Sequence, residues 1–308
     1  MKRSFIFKPS GLFPWSQSHA QVPTALLMDD HIKIYYATRD KDGRSLTSFV
    51  TVSREDPSKI LYVHDRPILE LGNPGTHDED GVMVGSVVAH EDTILLYYTG
   101  WSRGHTVPYR VSIGLAKSID GGINFERVFE GPIVDRTPLE PYMTMSPYVL
   151  FTDDKWQMWY GSGIGWTSEN NKLEPLYIIK YAESKDGIQW AQNNITCIEQ
   201  RHSLEANTRP SVLRTSNGYE MWFSYRHSVD FRDGAGAYRI GYATSKDGKN
   251  WDRAIHFADL DPPLTGWNNC MAAYPNVLEC DNKKILFYNG NGFGKTGFGY
   301  AILENQTV

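Results

Sequence analysis

Three carboxylates stand close ahead of a recurring position in the chain. Asp80 lies five residues before Gly85, Glu205 five before Pro210, and Glu140 seven before Pro147. Two carboxyl groups facing one ligand supply a proton donor and a base, the pair that general acid–base chemistry needs. Before Asp29 there is no Asp or Glu, so the N-terminal group able to take a proton is His19, whose imidazole is neutral near pH 7. Asp78 accompanies Asp80, and Arg209, close to Glu205, is placed to lower its pKa or to clamp an anion. Arg39, Arg226 and His227 add cationic or hydrogen-bonding groups, while Trp101, Trp166, Asn268, Asn269 and Tyr274 supply stacking faces and amides. His19, His77, Asp78 and Asp80 form the best candidate metal set, but no two of them show a zinc-type spacing. Neither a metal nor a cofactor is expected.

The elements that carry these groups repeat. Pro23, Gly85, Pro147, Pro210 and Pro275 are separated by 62, 62, 63 and 65 residues, and each stands twelve residues ahead of an aromatic pair: Tyr35-Tyr36, Tyr97-Tyr98, Trp159-Tyr160, Trp222-Phe223 and Phe287-Tyr288. After each anchor the chain reads strand, polar turn, strand, as in Thr24 to Leu27, Asp29-Asp30 and Ile32 to Tyr36. A third strand follows, and three of these lead into a shared turn at Ser118-Ile119-Asp120-Gly121, Ser184-Lys185-Asp186-Gly187 and Ser245-Lys246-Asp247-Gly248. An aromatic residue, Phe125, Trp190 or Trp251, then opens a fourth strand. Four antiparallel strands repeated radially predict an all-β, five-bladed β-propeller in a single domain over 1–308. The blades are expected near 20–72, 78–135, 140–200, 203–262 and 268–308, with 4–7 as the outer strand that closes the ring.

Strand parity assigns the chemistry to one end. The starts of first strands and the ends of second strands meet at one rim, which collects all the groups named above together with Gln21 and Asn291. The Ser-x-Asp-Gly turns fall at the opposite face and read as structure: Asp caps its own backbone and Gly accepts positive φ.

Bulk properties exclude several functions. A formal net charge of −5 leaves no basic stripe for a nucleic-acid backbone. The 13% aromatic content suits sheet faces and stacking on sugar rings alike. Cys197, Cys270 and Cys280 make no disulfide framework, and Lys2-Arg3 precede an apolar run too short for an export signal, so a cytoplasmic protein is expected. No run is long enough to span a membrane. The glycosylation triplets at Asn194 and Asn305 carry no weight without export.

On its five Pro- or Gly-anchored units and its Tyr-Ala-x-Ser-x-Asp-Gly-x-x-Trp turns, the chain resembles the five-bladed glycoside hydrolases: arabinanases, β-xylosidases, invertases and levansucrases, with the related mannoside phosphorylases. The Ser118 turn also resembles a sialidase Asp-box, itself a structural motif. The resemblance implies a carbohydrate substrate, with an Asp of blade one as base or nucleophile, an Asp of blade two tuning it and a Glu of blade three as acid. Asp80 fits the second place and Glu140 the third. The first is empty, and His19 or Gln21 occupies that region. Three readings follow: a glycoside hydrolase using Asp80, Glu140, Glu205 and His19; a phosphorylase, or an enzyme of a sugar phosphate or nucleotide sugar, using the Arg and His groups as anion ligands; and a non-catalytic glycan-binding propeller.

Overall fold

The computed structural model describes residues 3–232, 234–255 and 261–303, and the Asn305 triplet lies outside them. After β1 (Arg3–Phe7) the chain forms consecutive antiparallel meanders. The first comprises β2 (Ser18–Leu27), β3 (His31–Arg39), β4 (Ser45–Ser53) and β5 (Ile60–Val63). The second comprises β6 (Gly81–His90), β7 (Thr93–Arg103), β8 (Tyr109–Ser118) and the short β9 (Glu126–Arg127). Then come β10 (Thr144–Thr152), β11 (Lys155–Glu169), β12 (Lys172–Ser184) and β13 (Trp190–Ile198), followed by β14 (Glu205–Thr215), β15 (Gly218–His227), β16 (Arg239–Ser245) and β17 (Trp251–Arg253). The last sheet runs β18 (Ala273–Cys280), β19 (Lys283–Asn289) and β20 (Phe298–Leu303), with the short helical turn α1 (Asn291–Gly294) before β20. Its fourth strand is β1, in register Ser4 to Tyr300. A parallel bridge from Ser45 to Gly81 joins the first two meanders into one eight-stranded sheet.

The anchors explain themselves in the backbone. Pairing of every inner strand with its neighbour slips at the anchor, between Gln21 and Thr24, Val84 and Ser86, Met145 and Tyr148, Thr208 and Ser211, and Ala273 and Asn276. Proline has no N–H to give to a ladder, so it survives inside a sheet at such a bulge. The residue ahead of each proline, Val22, Ser146, Arg209 or Tyr274, is left-handed, with φ between 50° and 57°. That conformation costs a non-glycine residue about 1–3 kcal/mol, and its surroundings hold it. The N–H of Val22 donates to Asn289 Oδ1 at 2.7 Å, that of Ser146 to Thr99 Oγ1 at 2.8 Å and that of Tyr274 to Ser224 Oγ at 2.7 Å. Each acceptor directly follows the aromatic pair of the adjoining meander.

Two further sets of contacts interlock the meanders. Ser86 Oγ, Ser211 Oγ and Asn276 Oδ1 accept from Val149, Val277 and Ala25 N–H, so the last meander adjoins the first. At the other face the Ser-x-Asp-Gly turns present a glycine carbonyl to the aromatic pair of the preceding meander: Gly122 to Tyr35 Oη at 2.8 Å, Gly187 to Tyr97 Oη at 3.0 Å and Gly248 to Trp159 Nε1 at 2.7 Å. Among the described residues Trp222 Nε1, at the corresponding place, has no partner. The buried apolar residues gather into clusters between adjoining meanders, such as Tyr35, Phe49, Leu96 and Tyr98.

The turn aspartates make stability depend on acid. Asp247 accepts backbone N–H groups of Asn250 and Lys249 at 2.8 and 2.9 Å, and these bonds, the Asn250 one first, hold its carboxyl below its ordinary value against the effect of burial. Asp186 is lowered in the same way, by Gln189 and Ile188 N–H groups. A depressed carboxyl contributes stability above the unfolded-state pKa of about 3.9 and loses it as pH falls below that. We predict that Asp247→Asn lowers the melting temperature at pH 7, by an amount equivalent to roughly 1 kcal/mol for so exposed a group. The deficit should begin to shrink as pH falls below about 3.9 and vanish only below the lowered folded-state value, as calorimetry across that range can check.

Candidate active site

At one end of the inner strands lies a cavity of about 350 Å³. Every meander contributes to its wall: Gln21 and Arg39 from the first, Trp101 and Tyr109 from the second, Met145, Glu174 and Tyr177 from the third, Thr208 and Arg226 from the fourth, and Tyr274 from the last. The connection between β15 and β16 adds Phe231, Arg232 and Tyr238, and α1 adds Phe293. The left-handed residues Val22, Ser146 and Tyr274 lie on the wall, where the anchor bulges turn them.

The wall is aromatic and cationic. Tyr238 lies 5.3 Å from Tyr274 and 6.1 Å from Phe293, ring to ring. Arg226 is almost fully buried, 4.0 Å from the Phe231 ring centre, and donates to Tyr177 and Tyr238 hydroxyls, Ser228 Oγ and the Pro175 carbonyl. Tyr177 and Tyr238 bond each other through their hydroxyls. Burial works against the charge of Arg226, and the two tyrosines more than compensate, raising its pKa above the ordinary value. Arg39 differs. Its Nε donates to Gln21 Oε1 at 3.0 Å, no carboxylate pairs with it among the described residues, and burial lowers its pKa against a smaller opposing effect of Tyr274. Thr208 Oγ1, buried at the wall, has no hydrogen-bond partner among the described residues. Just behind Val22 and Val84, Arg209 reaches from the fourth meander to the second and the first, donating to Gly85 O at 2.6 Å and Thr24 Oγ1 at 2.6 Å.

Of the residues expected at the rim, Gln21, Arg39, Trp101, Arg226 and Tyr274 line the cavity. Trp166 stands beside it, edge-on to Tyr109 at 6.0 Å. The four groups expected to do acid–base work do not come together: no cavity, hydrogen bond or ion pair joins any two of them among the described residues. Glu140, fully buried, accepts from Tyr160 Oη at 2.8 Å and sits 3.7 Å from Lys180 Nζ. Glu205 is bound through both oxygens by Arg253, at 2.7 and 3.0 Å. Burial would raise its pKa, but Arg253 and the Arg201 N–H hold it below the usual value. Asp80 faces Arg103 in an outer depression with Asp42 and Arg44. His19 bonds Ser18 Oγ off the cavity wall, and burial, then Arg39 and Lys295, push its pKa down to about 4. It is neutral at pH 7, as expected, but no ligand-facing position goes with that state.

The remaining expectations also resolve into structure. Asp78 is sequestered by Tyr98 Oη at 2.9 Å and Arg127 at 2.7 Å. Asn268 takes the same place against Tyr288 Oη at 2.9 Å, and Asn269 bonds Asn291. His227 pairs its ring with that of His202 at 5.0 Å. No group of three or more His, Cys, Asp or Glu able to hold a metal is found among the described residues. No described helix is long and apolar enough to cross a membrane.

The expectations missed Tyr109, Glu174, Tyr177 and Tyr238. Tyr109 opens β8, Tyr238 directly precedes β16, and Glu174 and Tyr177 lie in the first half of β12, so all four belong to the beginnings of third strands, which by parity reach the same rim as the ends of second strands. Counting that third set of positions would have found them.

Comparison with solved structures shows which fold this is. A glycoside hydrolase matches with a TM-score of 0.75 at 16% identity, over 99% of this chain and 92% of its own. A structure described under the GH130 family of mannoside phosphorylases, which contains glycoside hydrolases that target β-1,2 mannosidic linkages in Candida mannan, matches at 0.69 and 15%, over 99% and 95%. The Bombyx mori GH32 β-fructofuranosidase matches at 0.65 and 16%, over 97% of this chain and 61% of its own. Residues 62–205 also match the model of the glycosyl hydrolases family 32 N-terminal domain. The fold is that of the propeller glycoside hydrolases and their phosphorylase relatives. The chain belongs to the family of two uncharacterized Mycobacterium tuberculosis proteins, from strains CDC 1551 and H37Rv, each 37% identical over 302 residues and 97% of both chains.

The split between buried acids and cavity acid is testable by stability. Glu205→Ala leaves Arg253 buried without its carboxylate and should lower the unfolding free energy by about 3 kcal/mol in urea melts. Glu174→Ala frees a half-exposed arginine and should cost no more than about 1 kcal/mol.

Proposed function

We propose that the protein is a carbohydrate-active enzyme whose five meanders close as the blades of a propeller, and whose cavity takes a sugar together with an anionic group. A phosphorylated or nucleotide-linked sugar satisfies this description, and so does a sugar attacked by inorganic phosphate. The observation that carries the reading is Arg39: a largely desolvated guanidinium on the cavity wall with no carboxylate partner among the described residues. Burying an unpaired charge is costly, and a ligand anion offsets that cost with charge-assisted bonds. The tyrosine hydroxyls and Thr208 Oγ1 add polar partners, and the rings add stacking surface for a sugar.

Hydrolysis by two carboxylates is less well supported. That chemistry needs an acid and a base about 5 Å, or roughly 6.5–9.5 Å, apart across one bond. Glu174 is the sole carboxylate on the wall among the described residues, and Arg232 holds it at 2.7 Å. The same fact supports glycan binding without catalysis as the second reading. Conversion of a bound sugar phosphate, followed by phosphorus NMR, would exclude that second reading.

Titration calorimetry with mannose 1-phosphate and glucose 1-phosphate against the free sugars tests the proposal. The phosphate esters should bind at least about tenfold more tightly, and Arg39→Ala should remove the preference without weakening free-sugar binding. Neutral oligosaccharides binding as well as the esters, with no effect of Arg39→Ala, would refute it.

A further inference from the structure

The cavity wall carries arginines of different availability. Arg39, from β3, uses its Nε on Gln21, and its terminal nitrogens have no carboxylate partner among the described residues. Arg232 bonds Glu174 at 2.7 Å, and both residues line the cavity. The Glu174 side chain is only 8% exposed while that of Arg232 is 51% exposed, so the carboxylate is the fixed partner and the guanidinium the movable one. Glu174 stands on the arm formed by β11 and β12, fifteen and thirteen residues long, onto which the β15–β16 connection is fastened. The Asp230 N–H donates to Glu169 Oε1 at 2.5 Å, Arg226 donates to Pro175 O at 2.8 Å, and Tyr177 meets Tyr238. The third arginine, Arg226, is occupied by the same fastening.

We propose that Glu174, by occupying Arg232, makes the cavity select ligands with a single phosphate over those with a pyrophosphate bridge. This deepens the reading of the cavity as an anion site and rests on it. A lone phosphate finds Arg39 ready. A second phosphate needs another cation, and Arg232 can serve only by leaving Glu174, whose carboxylate then stays buried, unpaired and beside new negative charge. Stripping the partner from a buried charge is strongly unfavourable, and like charges brought together add to the cost. Discrimination through such a repulsive group is how sites reject close analogues. A volume of about 350 Å³ agrees, being near the small end for ligand pockets and better suited to a sugar phosphate than to a whole nucleoside-diphosphate sugar. Glu174 is therefore a specificity residue, and the substrate class it points to is a sugar monophosphate, or a sugar with inorganic phosphate.

Titration calorimetry of the whole protein with inorganic phosphate and inorganic pyrophosphate, both free of divalent metal, tests this. The unaltered protein should bind phosphate through Arg39 and pyrophosphate no more tightly. Glu174→Gln keeps the shape of the side chain and removes its charge, so it should tighten pyrophosphate by about tenfold and phosphate by less than about threefold. Adding Arg232→Ala should cancel that gain. Arg232→Ala alone uncovers the Glu174 carboxylate beside the ligand and should weaken pyrophosphate more than phosphate, which keeps the test decisive if Glu174→Gln folds poorly. A native preference for pyrophosphate, an unchanged ratio in Glu174→Gln, or a pyrophosphate affinity that Arg232→Ala leaves unchanged overturns the selection by Glu174 while leaving the anion site standing. No Arg39-dependent binding of either probe overturns the anion site itself, and the selection with it.

Discussion

One guanidinium holds the inner strands at the distance the cavity requires. Arg209 is fully buried between them, and it donates to carbonyls of Val84 and Gly85 from one meander and to Thr24 Oγ1 of another. Its own backbone is left-handed at φ 53°, in the bulge ahead of Pro210. With no carboxylate paired to it among the described residues, burial lowers its pKa to about 10, against smaller opposing effects of Tyr148 and Tyr274. At neutral pH it remains charged, and carbonyl and hydroxyl dipoles solvate it. The cavity wall, which includes Val22 and Val84, is the other side of the same constraint.

Around that centre the polar groups divide into two kinds. Asp78, Glu140 and Glu205 lie within meanders and are saturated by a tyrosine or a cation of the same meander: Arg127, Lys180 or Arg253. They bind the outer strands to the inner ones and present nothing to a ligand. Arg39, Glu174 and the tyrosine hydroxyls lie where meanders meet and face open volume. A buried acid that is fully hydrogen-bonded is a fastener, and an incompletely satisfied cation in a cavity is a recognition group. Sorting by satisfaction separates them where residue type does not.

That distinction also explains what was legible in the sequence. The anchors declared the meanders because proline and a left-handed neighbour are tolerated in a sheet at a bulge, and the bulge recurs with the repeat. The Ser-x-Asp-Gly turns declared their structural role through their chemistry. Five wall residues, Gln21, Arg39, Trp101, Arg226 and Tyr274, followed from strand parity alone. The acids misled because type and rim position were read without phase. Asp78, Glu140 and Asn268 each precede the tyrosine they bond by twenty residues, and an amide in the third copy marks a hydrogen-bonding staple. Glu205 departs from that phase because Phe223 has no hydroxyl to offer, and Arg253, 5.0 Å from the Phe223 ring, takes the carboxylate instead. The pairing of Glu174 with Arg232 was out of reach, since it joins an arm and a loop from different meanders.

The central claim is that the cavity where all the meanders meet is an anion-recognising sugar site ordered around Arg39. A crystal of the protein soaked with mannose 1-phosphate tests it most directly. The account predicts phosphate density within about 2.7–3.2 Å of the Arg39 terminal nitrogens, with the sugar ring against the aromatic wall. Phosphate bound instead beside Asp80, Glu140 or Glu205, or a sugar in the cavity whose phosphate touches no arginine, would contradict it.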